Sequence, residues 1–344
     1  FQGHQGDGHI LSMLYTFDFH NHSCLSPCAS LEASPSEMVE WAIKKRIDLF
    51  ALTDHNSALN SPAFGIECAN AGIIPLFGIE LNPFEEAHLL AIFSDPLTAL
   101  RFSDWVFEYL PAMRVDPLQF GDQVVVDPLG QILSMPSSTW YGSSLKESFT
   151  FFAQEAAKAG AIVIPAHIDR PHFSVYSQLG FLPQGPYDAV EAMSPNPDPT
   201  LCGDFCVISN SDAHVLEHIG RRPSIIELDE KKVIDMHAAL SKMAEAWFRG
   251  LWTNQANISA SSPEKESEED SEEDIQDQTS EAGLSIEIPG LLPIISFLEE
   301  WYPFAEAQAL FENIRQSLHR QKAWSIYKKP EPGSLIHASA EKKK

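Results

Sequence analysis

The sequence predicts an α/β fold in which parallel strands form a barrel or a doubly wound sheet. Two observations predict it. Short apolar runs alternate with helical patterns through residues 15–93 and again beyond residue 146, and most of these runs lead into a polar cluster containing His, Asp or Glu. In such folds the chemistry gathers at the C-terminal ends of the strands. The 344 residues, 44% hydrophobic and 21% charged, suffice for one large domain or two ordinary ones with a sizeable core.

Residues 1–12, with His4 and His9, read as the remnant of a cleaved tag, Met13 being a plausible native start, and are set aside. Residues 15–22, YTFDFHNH, alternate aromatic and polar and read as the first strand. Ser34-Pro35-Ser36-Glu37 is a capping box with proline at the first helical position, opening a helix through Met38, Val39, Trp41, Ala42 and Ile43. Residues 49–52 form a short buried strand that delivers Thr53-Asp54-His55, and a helix follows near 61–71. Residues 73–77 form a third strand delivering Gly78-Ile79-Glu80, and His88 opens a fourth over 88–93.

Residues 111–146 break the rhythm with prolines, glycines and serines, and are expected to be an insertion with one hairpin. A helix near 146–159 stops at Gly160, and the strand 162–164 delivers Pro165-Ala166-His167. Strands follow at 188–193 and 206–209, the latter delivering Asn210-Ser211-Asp212-Ala213-His214. A strand at 224–228 and a helix at 231–243 complete the pattern. Residues 255–283 read as a disordered acidic linker, since burial cannot offset such a charge density. Residues 284–330 recover apolar character, with Leu291, Ile294, Phe297, Leu298, Leu310 and Phe311, and predict an amphipathic helical segment that docks on the barrel, self-associates or takes a partner. Residues 331–344 should be a loose tail.

Formal net charge is −25, and no basic block marks a phosphate-backbone footprint, so stable duplex nucleic-acid binding is not expected. A small anionic substrate remains compatible, because bound cations invert the local potential. No apolar run approaches the roughly 20 residues of a membrane span. Cys24, Cys28, Cys68, Cys202 and Cys206 read as reduced thiols of a cytoplasmic protein. The four-residue spacings of Cys24/Cys28 and Cys202/Cys206 are wider than typical zinc pairs, which favours incidental thiols.

The chemistry is carried by His20-x-His22, His55, Glu80, His88, His167, Asp212 and His214. Alone, each has an ordinary explanation as a satisfied histidine or a helix cap. Together they differ: six of the eleven histidines beyond the tag fall at strand ends on one edge of the sheet. Imidazole plus carboxylate is the donor set for zinc, iron or manganese, and eight donors exceed one tetrahedral site. Two or three divalent ions are therefore expected, a number suited to phosphoryl transfer. Arg170, three residues after His167, offers a fork for phosphate oxygens, with Asp169 beside it. His172 and His218 are lesser candidates for the pocket border.

The ordered set DFHNH, LTDH, GIE, a histidine opening the next strand, PAH and SDAH resembles the polymerase and histidinol phosphatase (PHP) superfamily over about residues 14–230, and the AHIDR run resembles its stand-alone bacterial members. The resemblance implies a distorted (βα)7-type barrel, here over 13–254, with its metal site at the C-terminal strand ends. It implies that His20, His22, Glu80 and Asp212 hold one metal, that Glu80 bridges to a second held with His88 and His167, and that His55 and His214 hold a third. Asp54 would orient a ligand. Many relatives place another histidine or aspartate soon after the HxH pair. Here that stretch is SCLSPC, with Cys28 nearest the place, so the third site is the least complete.

The expected activity is hydrolysis of a small phosphate ester, such as a nucleotide or histidinol phosphate, by metal-activated hydroxide, with Arg170 and Asp54 as catalytic residues and Arg170 and Asp169 at the substrate. Three rivals stand beside it: a nuclease or phosphodiesterase on short nucleotides, an amidohydrolase-like C–N hydrolase, and a noncatalytic metal-binding interaction module. The second often bridges its metals with a lysine, and none is well placed here.

Overall fold

The computed structural model describes residues 11–250 and 288–325. The expected acidic linker, the loose tail and all but the last two residues of the tag remnant lie outside the described residues.

β1 (Ser12–Asp18) is followed by α1 (Pro35–Lys45), β2 (Leu49–Leu52), α2 (Ser61–Ala71), β3 (Ile74–Leu81), β4 (Leu89–Phe93) and α3 (Pro96–Phe107). The insertion contributes the single turn α4 (Pro117–Phe120) and the hairpin β5 (Val125–Val126) and β6 (Ile132–Ser134). Then come α5 (Phe149–Lys158), β7 (Ile162–Pro165), α6 (Val175–Gln178), β8 (Val190–Glu191), α7 (Pro199–Cys202), β9 (Val207–Ile208), β10 (Ser224–Asp229) and α8 (Glu230–Phe248). Two C-terminal helices, Leu292–Trp301 and Phe304–His319, lead into β11 (Ala323–Ser325).

Seven strands form one curled sheet in the order β11-β10-β1-β2-β3-β4-β7. The two-stranded ribbon β8–β9 spans its open side. Asp188 N–H reaches Val163 O at 2.9 Å on the β7 side. On the other side Ser209 N–H reaches Ser224 Oγ at 2.9 Å. The result is a curled, distorted barrel, the form that the family resemblance implied.

The parallel expectation holds for β1, β2 and β3 and fails at β10, antiparallel to β1 and β11, and at β4, which runs antiparallel to β3 and to β7. The link of residues 82–88 is too short for a crossover helix, so the chain must turn back. This reversal has a functional consequence. His88, at the start of β4, stands at the same edge as the C-terminal ends of β2 and β3.

β1 ends before the histidine pair instead of containing it. Asn21 is the reason: its side-chain amide donates to Asp18 O and Ala51 O at 3.3 Å, and its backbone bridges to Ala213. α1 begins where its capping residues predict, with Ser34 Oγ accepting from Glu37 N–H. α3 was absent from the sequence reading, although Asp95 caps it through Thr98 N–H at 2.8 Å and Pro96 opens it.

The core between sheet and helices is aromatic. Phe17, Phe50, Phe64, Phe77, Phe93, Phe149 and Phe152 are fully buried, with Phe64 packed on Phe50 and Phe77. The C-terminal helices bury Leu291, Ile294, Phe297, Leu298, Leu310, Phe311 and Ile314. Phe297 meets Trp247 of α8, and Tyr302 donates its hydroxyl to Ser94 O at 2.8 Å. Of the docking modes expected for this segment, its described residues show the first: the buried apolar face packs on the chain's own barrel.

The insertion packs beside the loop that follows the histidine pair. Gly121, at φ +82°, lies so close to Pro27 O that a Cβ would stand 2.1 Å away. Asn60 fastens the hairpin, donating to Val124 O at 3.0 Å and accepting from Val126 N–H at 3.0 Å.

Candidate metal centre

The strand ends bring all eight predicted donors to one place. His20 and His22 follow β1, and His55 follows β2 and bridges to Glu80 inside β3. His88 precedes β4, His167 follows β7, and Asp212 and His214 follow β9. His167 and Asp212 take positive φ, +31° and +47°, a conformation uncommon outside glycine, which Asp and His adopt more readily than most and which concentrates at functional sites.

Glu80 is the hub. Its Oε1 lies 3.1 Å from His20 Nε2, 2.8 Å from His88 Nδ1 and 3.1 Å from His167 Nε2. Its Oε2 lies 3.2 Å from His22 Nε2 and 3.1 Å from His55 Nδ1. Asp212 Oδ1 stands 3.6, 3.5 and 3.4 Å from His20, His22 and His214. The donor atoms fall into overlapping groups, each within 4.8 Å: His20, His22, Glu80 and Asp212; His55, Glu80 and His88; and His22, His55 and His214.

These residues fit divalent cations. Glu80 Oε2, Asp212 Oδ1 and His55 Nδ1 are buried without a hydrogen bond. Such atoms are costly to bury unpaired, and here they face one another across the same small volume. Cations in the overlapping groups would satisfy all three, Asp212 and His55 lying in different groups that both include Glu80. The cluster has the donors of a multinuclear divalent-metal site, and nitrogen and oxygen ligands of this kind accept several metals.

Electrostatics agree with that fit. Burial pushes the Glu80 carboxyl up, but His88, His20 and His55 outweigh it and hold it well below the usual range. Asp212 is likewise held low against burial by His20 and His22. Burial and neighbouring imidazoles depress His55 and His88, and His214 falls to about 4, so these three present free lone pairs. His20 is raised well above its ordinary value by Glu80 and Glu191 despite burial, and His22 is raised to about 9.

A pH prediction follows from the sign of these shifts. At neutral pH, His20 and His22 hold protons that a metal must displace, so loading should release roughly one to two protons per chain. Affinity should rise with pH through the deprotonation of His22 at about 9, and His20, also raised, extends the rise in the same direction. Calorimetric titration in buffers of differing ionisation enthalpy measures the release. A release of none at neutral pH would show that the pair is already neutral.

A second layer fixes the donors. Glu191, buried at the end of β8, accepts from His20 Nδ1 at 2.9 Å and from His167 N–H at 2.9 Å. With Nδ1 so engaged, His20 turns Nε2 to the cluster. Asp54 accepts from Ser23 N–H at 2.7 Å, Ser23 Oγ at 2.6 Å and Ser26 Oγ at 2.6 Å. Ser26 Oγ in turn meets His22 Nδ1 and His55 N–H, each at 3.1 Å. Asp18 accepts from Ser211 and Gly220 N–H at 2.8 and 3.0 Å and holds the loop that carries Asp212.

Asp54, expected both to orient a ligand and to be catalytic, has both oxygens engaged by Ser23 and Ser26, which suits the orienting part of that expectation. Asp169, expected at the substrate, accepts from Met193 and Ser194 N–H at 2.7 Å each, so it anchors the chain after β8. Arg170 pairs with Asp212 Oδ2 at 2.9 Å, not with its neighbour Asp169, and remains one-third exposed at the rim.

The lesser candidates lie outward. His218 Nδ1 accepts from Arg221 Nη1 at 3.0 Å, and His172 is exposed. Cys28 is an exposed rim residue outside the donor groups, its thiol raised to about 12 by desolvation and by Glu80. Glu191 and Asp18 were missed from the sequence. The available signal for Glu191 was an acid within a predicted strand on the edge that bears the histidines.

The family model of the PHP domain matches residues 18–110, which hold five of the eight donors. Among solved structures, the chain is similar to an endonuclease Q in complex with a 27-mer duplex bearing an abasic lesion: 18% identity, TM-score 0.47, covering 66% of this chain and 56% of that one. It is similar to the lesion-specific endonuclease of Pyrococcus furiosus at 15% identity and TM-score 0.48, covering 93% and 96%. It is also similar to a candidate metal-dependent phosphoesterase from Bifidobacterium adolescentis at 18% identity and TM-score 0.40, covering 58% and 87%. No curated protein matches the chain. Among the described residues, no helix is long and apolar enough to cross a membrane.

Proposed function

We infer that this chain, which carries a PHP domain over residues 18–110, is a metal-dependent phosphoesterase acting on a small phosphate ester. The observation that carries the reading is Glu80, fully buried and ringed by five imidazoles, with one oxygen left without a hydrogen bond. His20, His22, Glu80 and Asp212 would hold one cation, Glu80, His88 and His167 a second, and His55 and His214 a third. Zinc, manganese or iron suits these donors. When bound, such ions supply Lewis acidity for the phosphoryl group and for water.

The chain's own residues do the rest. Glu191 and the Asp54–Ser26 pair hold the imidazoles in orientation. The rim guanidinium of Arg170, paired with Asp212 Oδ2, would hydrogen-bond a nonbridging phosphate oxygen. The five free cysteines suit a reducing, cytoplasmic compartment.

The test is to strip the protein with chelator, reload it separately with manganese, zinc and iron, and measure phosphate release from a panel of phosphomonoesters, with a chromogenic phosphodiester in parallel. Metal-dependent monoester turnover is the expected result. Turnover of the diester alone would make the protein a nuclease or phosphodiesterase. A short duplex belongs in the same panel, because one structurally similar protein was solved with one. No turnover with metal bound overturns the reading in favour of a C–N hydrolase or a noncatalytic module. Asp212→Ala, which removes a donor and the partner of Arg170, should abolish turnover while the protein stays folded. Full activity in that variant would sink the assignment.

A further inference from the structure

We propose that Phe173 is a specificity-determining residue, and that its ring forms the wall against which a flat aromatic leaving group stacks. The preferred substrate is then a phosphate ester with an aromatic ring near the phosphate, as in nucleoside and aryl phosphates. This rests on the phosphoesterase reading above.

Three features single out Phe173. Its ring lies parallel on His88, with centroids 4.9 Å apart and planes inclined by 18°. It remains 37% exposed, although it covers a metal-ligand candidate. It also takes φ +58°, a left-handed conformation that a bulky aromatic rarely adopts. The surroundings impose that conformation. Phe173 O accepts from His88 N–H at 3.0 Å, Ser174 Oγ donates to Arg170 O at 2.7 Å, and Arg170 N–H closes onto His167 O at 2.9 Å. Strain maintained this way is typical of ligand clamps.

The same short loop carries Arg170 to Asp212 and Phe173 to His88. Those two contacts fall on different donor groups of the cluster. A phosphate reaching the donors therefore has a guanidinium on one side and an aromatic face on the other. A cation holds the phosphate in any ester; only a planar leaving group gains from the ring.

The test uses non-hydrolysable ligands, so that binding is read apart from turnover. Metal-loaded wild type, Phe173→Ala and Phe173→Leu are titrated calorimetrically with phenylphosphonate and propylphosphonate. Wild type should bind the phenyl ligand about tenfold more tightly, the size of one aromatic stacking contact. Both variants should lose that preference while propylphosphonate affinity stays within twofold of wild type. Leucine keeps apolar cover over His88, so its failure to restore the preference separates stacking from shielding. No preference in wild type, or equal weakening of both ligands in the variants, overturns the proposal. Nucleoside monophosphates and p-nitrophenyl phosphate, set against glycerol phosphate in turnover, distinguish nucleoside from aryl leaving groups. A retained phenyl preference with no ester hydrolysed would sink the phosphoesterase reading and leave the ring site standing. Hydrolysis without the preference would do the reverse.

Discussion

Glu80→Gln should lower kcat/KM by roughly a thousandfold, corresponding to ~4 kcal/mol of lost transition-state stabilisation, and should reduce the bound metal content. Glutamine preserves shape and one acceptor, so the substitution isolates the charge. That charge sits at the junction of five imidazoles from four strand ends. Without it, the only carboxylate left in the donor groups is Asp212, which cannot serve the His55 and His88 side. The apo fold should survive. A neutral glutamine no longer draws protons onto His20, and a neutral cluster is easier to bury than a charged one. Three measurements separate the outcomes: circular dichroism for folding, metal content after reloading, and the metal-induced rise in Tm, which should shrink in the variant because it reports binding to the native state alone. Activity within tenfold of wild type at normal metal content would show that Glu80 is not the hub of the site.

The donors were legible because strand ends and motif order both announce them. Each of the eight lies within or directly beside a short apolar run, and the reading needed only the runs and the edge they share. Strand direction was less legible. Nothing in HLLAIF says that β4 runs backwards; the length of the 82–88 link says it, through the absence of room for a crossover. α3 was overlooked although Asp95-Pro96 announces its start, because the strand before it and the insertion after it drew the pattern away. β8 and β9 have two strand residues each, and β11 three, too few to show a period. Their partners are set by tertiary packing. The positioning residues were the hardest to read. Asp54 stands beside a ligand in TDH, and its motif suggested a role nearer the chemistry than the Ser23 and Ser26 contacts allow. Sequence adjacency does not reveal whether a carboxylate faces the pocket or turns to its own backbone.

Glu191 shows what such a hidden residue should do. One carboxylate oxygen accepts both the His20 Nδ1–H and the His167 backbone N–H, and the other lies 3.2 Å from the same His20 nitrogen. Burial pushes the Glu191 carboxyl up, yet His20 outweighs it and holds it low, so the pair is ionic in the free site. Glu191→Gln should therefore weaken metal binding ~10–100-fold, the usual effect of removing a partner behind a ligand imidazole. The imidazole loses basicity, and the amide cannot accept at both of its positions. His20 should also lose part of its elevated proton affinity, so fewer protons are released on loading at neutral pH. A positioning role makes a further demand: at saturating metal, kcat should return towards wild type, because Glu191 touches neither phosphate nor water. Metal titration followed by kcat at saturation checks this. A variant that merely unsettles the β8 edge would lower Tm at unchanged metal affinity, since the defect would lie in the fold and not in the imidazole. If affinity and proton release both hold while only Tm falls, Glu191 is a structural anchor, and the orientation of His20 must come from the extended backbone that Asn21 pins between β2 and the Asp212 loop.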